Sequence, residues 1–384
     1  MVFVKALSIF LGTVIGVGIF GLPYVASKAG FFVLIFYFLI MSLIAISIHF
    51  LYGEITLATE KVHRLPGYAE EYLGAKWKKI TFFAMLVGLM GALLAYLIVG
   101  GEFLFLSLSP YFGGNLIFYT LLFFSLGAVL IFKGIKSISF VELFLLIILF
   151  IILGIFFIKT FPVIDINNLK TFDFKFLAFP YGVVLFSLWG SSVVPEIKEM
   201  FSNNYLSKKS KNKDIIKLKM RKVIFFGISI STIIYIFFVF MILGVSGFDT
   251  SKEAISGLDL ALGQNIIKLG FIFGIITCFT SFLTIALTLK KMFWYDFGFS
   301  KNLSWAITCF VPLILFFLGM REFIEIIGFT GAVALGVEGI AIVFIYKELL
   351  KRKFLRKINP VLYFLVGVFV LGIISETFFF LFSK

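Results

Sequence analysis

The chain has 384 residues, of which 61% are hydrophobic and 14% charged, with 34 Lys and Arg against 20 Asp and Glu. A soluble domain is about half apolar and a quarter charged, so these proportions exclude one and mark an all-α polytopic membrane protein. The net charge of +14 does not point to nucleic acid, because the basic residues sit in short loops between apolar runs, the pattern that orients a membrane protein.

Apolar spans are expected at 6–28, 30–59, 78–107, 116–133, 138–160, 174–201, 222–246, 268–292, 303–319, 323–347 and 359–381, about eleven helices in all. The first has only Lys5 ahead of it and lacks a cleavage site, so it reads as a spanning helix rather than a signal peptide. It contains Gly12-Thr13-Val14-Ile15-Gly16-Val17-Gly18-Ile19-Phe20-Gly21-Leu22-Pro23, and four glycines and a proline in twelve residues make a poor continuous helix. In lipid, unwound backbone survives only where protein or a water-filled cavity covers it. The stretch is either a close packing surface or a binding site of bare N–H and C=O groups.

His49 in span 2 reads as a packing histidine. The 61–79 connection, with Pro66-Gly67-Tyr68 and Trp77, reads as an amphipathic segment at the inner interface. Span 3 carries Tyr96 at mid-depth and Glu102 in its outer third; Glu54, Glu142, Glu196 and Glu325 fall near interfaces as structural or gating groups. Span 6 repeats the interruption as Ser187-Leu188-Trp189-Gly190-Ser191-Ser192-Val193-Val194-Pro195-Glu196, with Gly190 and Pro195 each 172 positions beyond Gly18 and Pro23. Paired interruptions in two halves are the best sequence pointer to a transporter's substrate site.

The basic 202–222 run reads as a solvated loop on an anionic leaflet, and 251–265 as a cap over an outer vestibule. Span 8 centres on Thr280 and Ser281. Glu338 in span 10 is the deepest carboxylate, a proton-carrier candidate or a buried acid bonded to a neighbouring helix. Cys278 and Cys309 lie within apolar runs and suggest neither disulfide nor metal.

With the N-terminus in the cytoplasm, 26 of the 34 Lys and Arg fall inside and 8 outside, which favours that orientation. The offset places span 6 where span 1 stood, five spans on. Five is odd, so the second unit runs through the membrane in the opposite sense. The chain is then one transporter domain, 1–384, made of a five-helix repeat at 6–160, an inverted repeat at 174–347 and an extra helix at 359–381.

Counting depth at about 1.5 Å per residue brings Gly16 to Gly18, Ser187 to Gly190, Tyr96, Thr280 and Ser281 to one level. Half-helix N-termini suit a carboxylate, and the opposite ends suit an ammonium group or a cation. The hydroxyls of Thr280 and Ser281, with carbonyls near Gly12 and Ile15, would form an oxygen-rich shell for a hard cation, unless they bond back to their own helix. Enzyme readings find no metal-ligand spacing, phosphate loop or nucleophile–base pair.

The 12–23 motif with Ala29-Gly30, the 186–197 motif and the span 10 run 326–332 (Ile326 to Ala332) resemble signatures of the amino acid/auxin permease family of the APC superfamily. The resemblance implies a LeuT-type fold with five plus five inverted helices, broken spans 1 and 6, and alternating access. Carried over by position, it implies substrate contacts at Thr13, Val14, Ile15, Gly16, Val17, Gly18, Tyr96, Ser187, Leu188, Trp189 and Gly190. It implies a sodium site at the Gly12 and Ile15 carbonyls with Thr277, Thr280 and Ser281. Ile19 stands where sodium-driven relatives carry an asparagine, which argues against a second sodium site, and span 5 lacks the lysine of some proton-driven relatives.

The expected function is a symporter of amino acids, neutral or aromatic given Val14, Val17 and Trp189. It would be driven by sodium or protons, without an organic cofactor, and would act as a monomer in the plasma membrane. An exchanger, a carrier of another zwitterion, or a nutrient sensor signalling through 202–222 are the alternatives.

Overall fold

Helices carry most of the chain, because in hydrocarbon each backbone N–H and C=O has to be satisfied within its own segment. The computed structural model describes residues 2–61, 63–134, 138–170, 172–206, 213–352 and 360–382. Among the described residues there is no strand.

Span 1 is two helices, α1 (Val2–Val14) and α2 (Gly18–Ala29), bent by 49° across the glycine stretch. Spans 2 to 5 are α3 (Phe31–Ala58), α5 (Ala75–Phe112), α6 (Leu116–Lys133) and α7 (Ile138–Thr160), with the short α4 (Leu65–Leu73) between α3 and α5. Span 6 breaks again: α8 (Pro180–Ser187) stops, a 3-10 turn covers Ser191–Val193, and α9 (Val194–Leu206) resumes. Then come α10 (Lys213–Ser246), the one-turn α11 (Asp259–Leu262), α12 (Gln264–Lys291) and α13 (Lys301–Phe317). Span 10 joins α14 (Phe323–Phe329) to α15 (Leu335–Arg352) through a π-helical turn at Thr330–Ala334, and α16 (Pro360–Phe382) closes the series.

The two prolines that align in sequence do different work. Pro195 is the second residue of α9, where a missing N–H costs nothing. Pro23 lies a turn inside α2.

The 202–222 run departs from the expected loop. α9 continues to Leu206 and α10 begins at Lys213, with Asp214 in its first turn and Ile216 and Met220 buried. Burial of those two apolar positions carries the helix into the basic segment; residues 207–212 lie outside the described residues, as do the Glu142 side chain and Lys384. α4 turns Leu65, Tyr68, Ala69 and Tyr72 into the protein and leaves Glu70 and Glu71 outside. In the 251–265 segment Ala254, Ile255 and Leu258 are fully buried.

On α3 the exposed Phe32, Phe36, Leu39 and Leu43 recur at helical spacing and form a face suited to lipid. Spans 6 and 10 meet backbone to backbone, since a Cβ on Gly331 would strike the Gly182 carbonyl.

Candidate functional site

The two breaks face each other. α1 ends at Val14 and α8 at Ser187, and the Tyr235 hydroxyl of α10 lies 2.6 Å from the Val14 carbonyl oxygen and 3.0 Å from that of Ser187. One phenolic proton thus serves the carbonyl ends of both half-helices. A Cβ on Gly18 would overlap the Ser187 hydroxyl, so the chains touch there. The N–H groups of Gly16, Val17, Gly18, Ser191 and Ser192 donate to no backbone carbonyl among the described residues. That of Gly190 donates to Nε2 of His49 at 2.9 Å, while His49 Nδ1 meets the Ala45 carbonyl at 2.5 Å. The ring therefore donates at Nδ1 and accepts at Nε2.

Tyr96 on α5 sits directly over Gly16, where any side chain would collide with its hydroxyl. That hydroxyl lies beside the Ser281 side chain and the Val17 backbone. Ser281 on α12 in turn donates to the Gly12 carbonyl at 3.3 Å. Its neighbour Thr280 bonds back to its own helix, at 3.0 Å to Ile276 and 3.2 Å to Thr277 carbonyls. Of the five oxygens expected around a cation, the structure brings Ser281 to Gly12, while the Thr280 hydroxyl is taken up by its own helix.

Past the π turn, α15 directs Glu338 at the second break. The Trp189 Nε1–H and the Ser191 hydroxyl each donate to its Oε2 at 3.1 Å. Glu338, Trp189 and Ser191 also line a cavity of ≈ 700 Å³, counting its open mouth.

Thr13, Val14, Gly16, Gly18, Tyr96 and Trp189 line this cavity. Ile15, Val17 and Leu188 are buried in the surrounding core instead. Ser187 faces Gly18, and its hydroxyl donates to Val183. Thr277 is buried on α12 one turn before Ser281. On one side the cavity reaches Arg64 and Leu65, and Arg64 holds Glu196 at 2.9 Å. Beyond Gly18, in the other direction, Phe20 packs edge-on against Phe103, Phe238 and Phe273, with ring centroids 4.8, 6.2 and 5.6 Å away. The site thus has the Arg64–Glu196 pair at one end and packed aromatic rings beyond Gly18.

At one cavity the α1 end at Val14 and the N–H groups of Gly16, Gly18, Ser191 and Ser192, which donate to no backbone carbonyl among the described residues, offer complementary charge to a zwitterion. Among the described residues, no three His, Cys, Asp or Glu side chains cluster to hold a metal. Sequence reasoning passed over Tyr235 and the second role of His49. The available signal was only that each places a polar ring in an apolar span.

A profile of the tryptophan/tyrosine permease family matches residues 2–378. The chain belongs to that family. The permease is a transporter of amino acids and not an enzyme. No curated protein sequence matches it. Its structure is similar to that of MhsT in complex with L-phenylalanine, with a TM-score of 0.66 and 15% identity over 98% of this chain and 97% of that one. It is also similar to Mhp1, a nucleobase-cation-symport-1 family transporter, in a closed conformation with bromovinylhydantoin bound: TM-score 0.69, 15% identity, 97% and 89% covered. The inward-facing conformation of Mhp1 matches with a TM-score of 0.66 and 14% identity over 97% and 88%. The permease has the LeuT-type fold, with spans 1 and 6 broken; among the described residues seven helices are long and apolar enough to cross a membrane, or eight with the bent α1–α2 pair taken as one span.

Proposed function

We propose that the permease is a cation-coupled symporter of aromatic amino acids, working by alternating access at the cavity between the two breaks. One observation carries the reading: Val14, Gly16 and Gly18 of the first break and Ser191 and Ser192 of the second line one cavity, and the carbonyl ends of both half-helices are joined through Tyr235. The α-carboxylate would lie against the N–H groups of residues 16–18, and the α-ammonium against the carbonyl ends. Apolar and aromatic walls from Val14, Tyr96, Phe186 and Trp189 suit an aromatic side chain. MhsT holds L-phenylalanine and Mhp1 belongs to a cation-symport family, which agrees with both halves of the proposal.

Sodium is the coupling ion that the contact between Ser281 and Gly12 supports. It would take the Gly12 and Ile15 carbonyls, Ser281 and Thr277, and Thr280 after its hydroxyl turns from its own helix. If protons drive transport, Glu338 is the carrier. Cation and substrate share the span 1 break, so filling both biases one two-state element.

With the N-terminus cytoplasmic, the Arg64 end of the cavity lies on the inner side. The halves 6–160 and 174–347 would act as one monomeric unit in the plasma membrane, within the amino acid/auxin permease group.

The test is uptake of labelled aromatic amino acids into proteoliposomes, with sodium and pH gradients imposed separately. Accumulation above equilibrium under one gradient is expected. Binding without accumulation under either would favour a sensor and overturn the symporter.

A further inference from the structure

Glu338 is the only carboxylate among the described residues that line the cavity. Both of its hydrogen bonds, from Trp189 and Ser191, fall on Oε2. Oε1 lies toward Gly88, 3.5 Å from where a Cβ on that glycine would stand. Gly88 also lines the cavity, beside Met85, Leu89, Ala92 and Leu335. A single acceptor oxygen thus meets a stretch of apolar wall, and the missing side chain at Gly88 leaves a methyl-sized space beside it. No Lys or Arg is paired with Glu338 among the described residues; Arg64, the basic group in the lining, holds Glu196. The indole of Trp189 already donates its ring N–H to this carboxylate, so the geometry for an indole donor at this position exists in the protein itself.

We propose that Glu338 is the specificity-determining residue of the site: its Oε1 accepts a hydrogen bond from the ring N–H or phenolic O–H of the transported aromatic amino acid. The proposal rests on the transport reading above and extends it to the substrate side chain. A site built to pair a buried polar group rejects an analogue that leaves the group unpaired. Phenylalanine matches tyrosine in shape and lacks the donor, so it is the discriminating ligand. Two donors on Oε2 already satisfy part of the carboxylate, and the expected preference is therefore moderate, on the order of 10–100-fold rather than the extreme seen in fully closed sites.

Full-length protein in proteoliposomes is tested by competing labelled tryptophan with unlabelled tryptophan, tyrosine, phenylalanine and 1-methyltryptophan. The wild type should prefer tryptophan and tyrosine over phenylalanine by about 10–100-fold, with 1-methyltryptophan, which has no ring N–H, grouped with phenylalanine. In Glu338→Gln the amide oxygen faces Trp189 and Ser191 and its NH₂ faces the cavity, so the preference should collapse to within a few-fold while phenylalanine competes as before. Gly88→Ala sets a methyl in ordinary contact with Oε1 and leaves the Trp189 bond alone; it should flatten the preference in the same way.

Equal competition by all four ligands in the wild type overturns the proposal, as does selectivity retained in both variants. An equal loss for all ligands in Glu338→Gln also overturns it, and assigns the carboxylate to the ammonium group or a coupling proton. Failure of the wild type to take up any aromatic amino acid removes the underlying transport reading, and this inference with it.

Discussion

The Tyr235 hydroxyl lies 2.6 Å from the carbonyl oxygen of Val14, the last residue of α1. Because the same hydroxyl reaches Ser187 at the end of α8, 3.0 Å away, α10 ties the two breaks together through one atom. Tyr235→Phe deletes that donor and leaves two buried carbonyls to find another. A cost of about 1–3 kcal/mol is expected, read as a thermal midpoint lowered by a few degrees and a reduced uptake rate. Unchanged stability and uptake would show that the bridge does not hold the breaks.

Valine at Gly18 or Gly190 should abolish uptake while insertion into the membrane persists. A Cβ on Gly18 would stand 3.0 Å from Ser187 Cβ, and one on Gly190 would stand 2.9 Å from Val14 Cγ2. Both are closer than side chains pack, so either substitution pushes the breaks apart. Uptake and surface labelling of the two variants check this together.

His49 sits 141 residues from the Gly190 N–H it accepts. His49→Ala should leave that donor unpaired and cost roughly 1–3 kcal/mol. His49→Gln, which can present an amide oxygen to Gly190, should recover part of the loss. The measurement is thermal stability in detergent alongside uptake; an alanine variant as stable as the wild type would refute the cap.

Ser281 and Thr280 are adjacent and should behave differently. Ser281→Ala removes the hydroxyl that meets Gly12 and Tyr96, and is expected to raise the sodium concentration needed for half-maximal uptake by about tenfold, the loss of roughly one charge-assisted bond. Thr280→Val removes a hydroxyl bonded to its own helix, with a smaller expected shift. Equal shifts would mean that Thr280, once turned from its own helix, holds the ion as firmly as Ser281, and no shift in Ser281→Ala would refute the sodium site.

Hydropathy alone placed the spans to within a few residues, because the bilayer demands unbroken apolar length. The exceptions were span 6, expected at 174–201 where α8 starts at Pro180 and α9 runs to Leu206, and the start of α10, where Ile216 and Met220 extend a helix into basic sequence that composition reads as loop. The breaks were legible because Gly and Pro act locally. Their supports were not. Tyr235 meets Val14 across 221 positions, and no local pattern encodes that contact. The contrast between Thr280 and Ser281 was hidden for a related reason: one residue turns a helix by about 100°, and sequence depth does not say which of two neighbours reaches the Gly12 carbonyl.

The most direct test of the account is whether labelled tryptophan accumulates in proteoliposomes containing the wild type and the Gly18→Val variant under an imposed cation gradient. The account predicts gradient-driven accumulation above equilibrium in the wild type and none in the variant. Accumulation in both, or in neither, would contradict it.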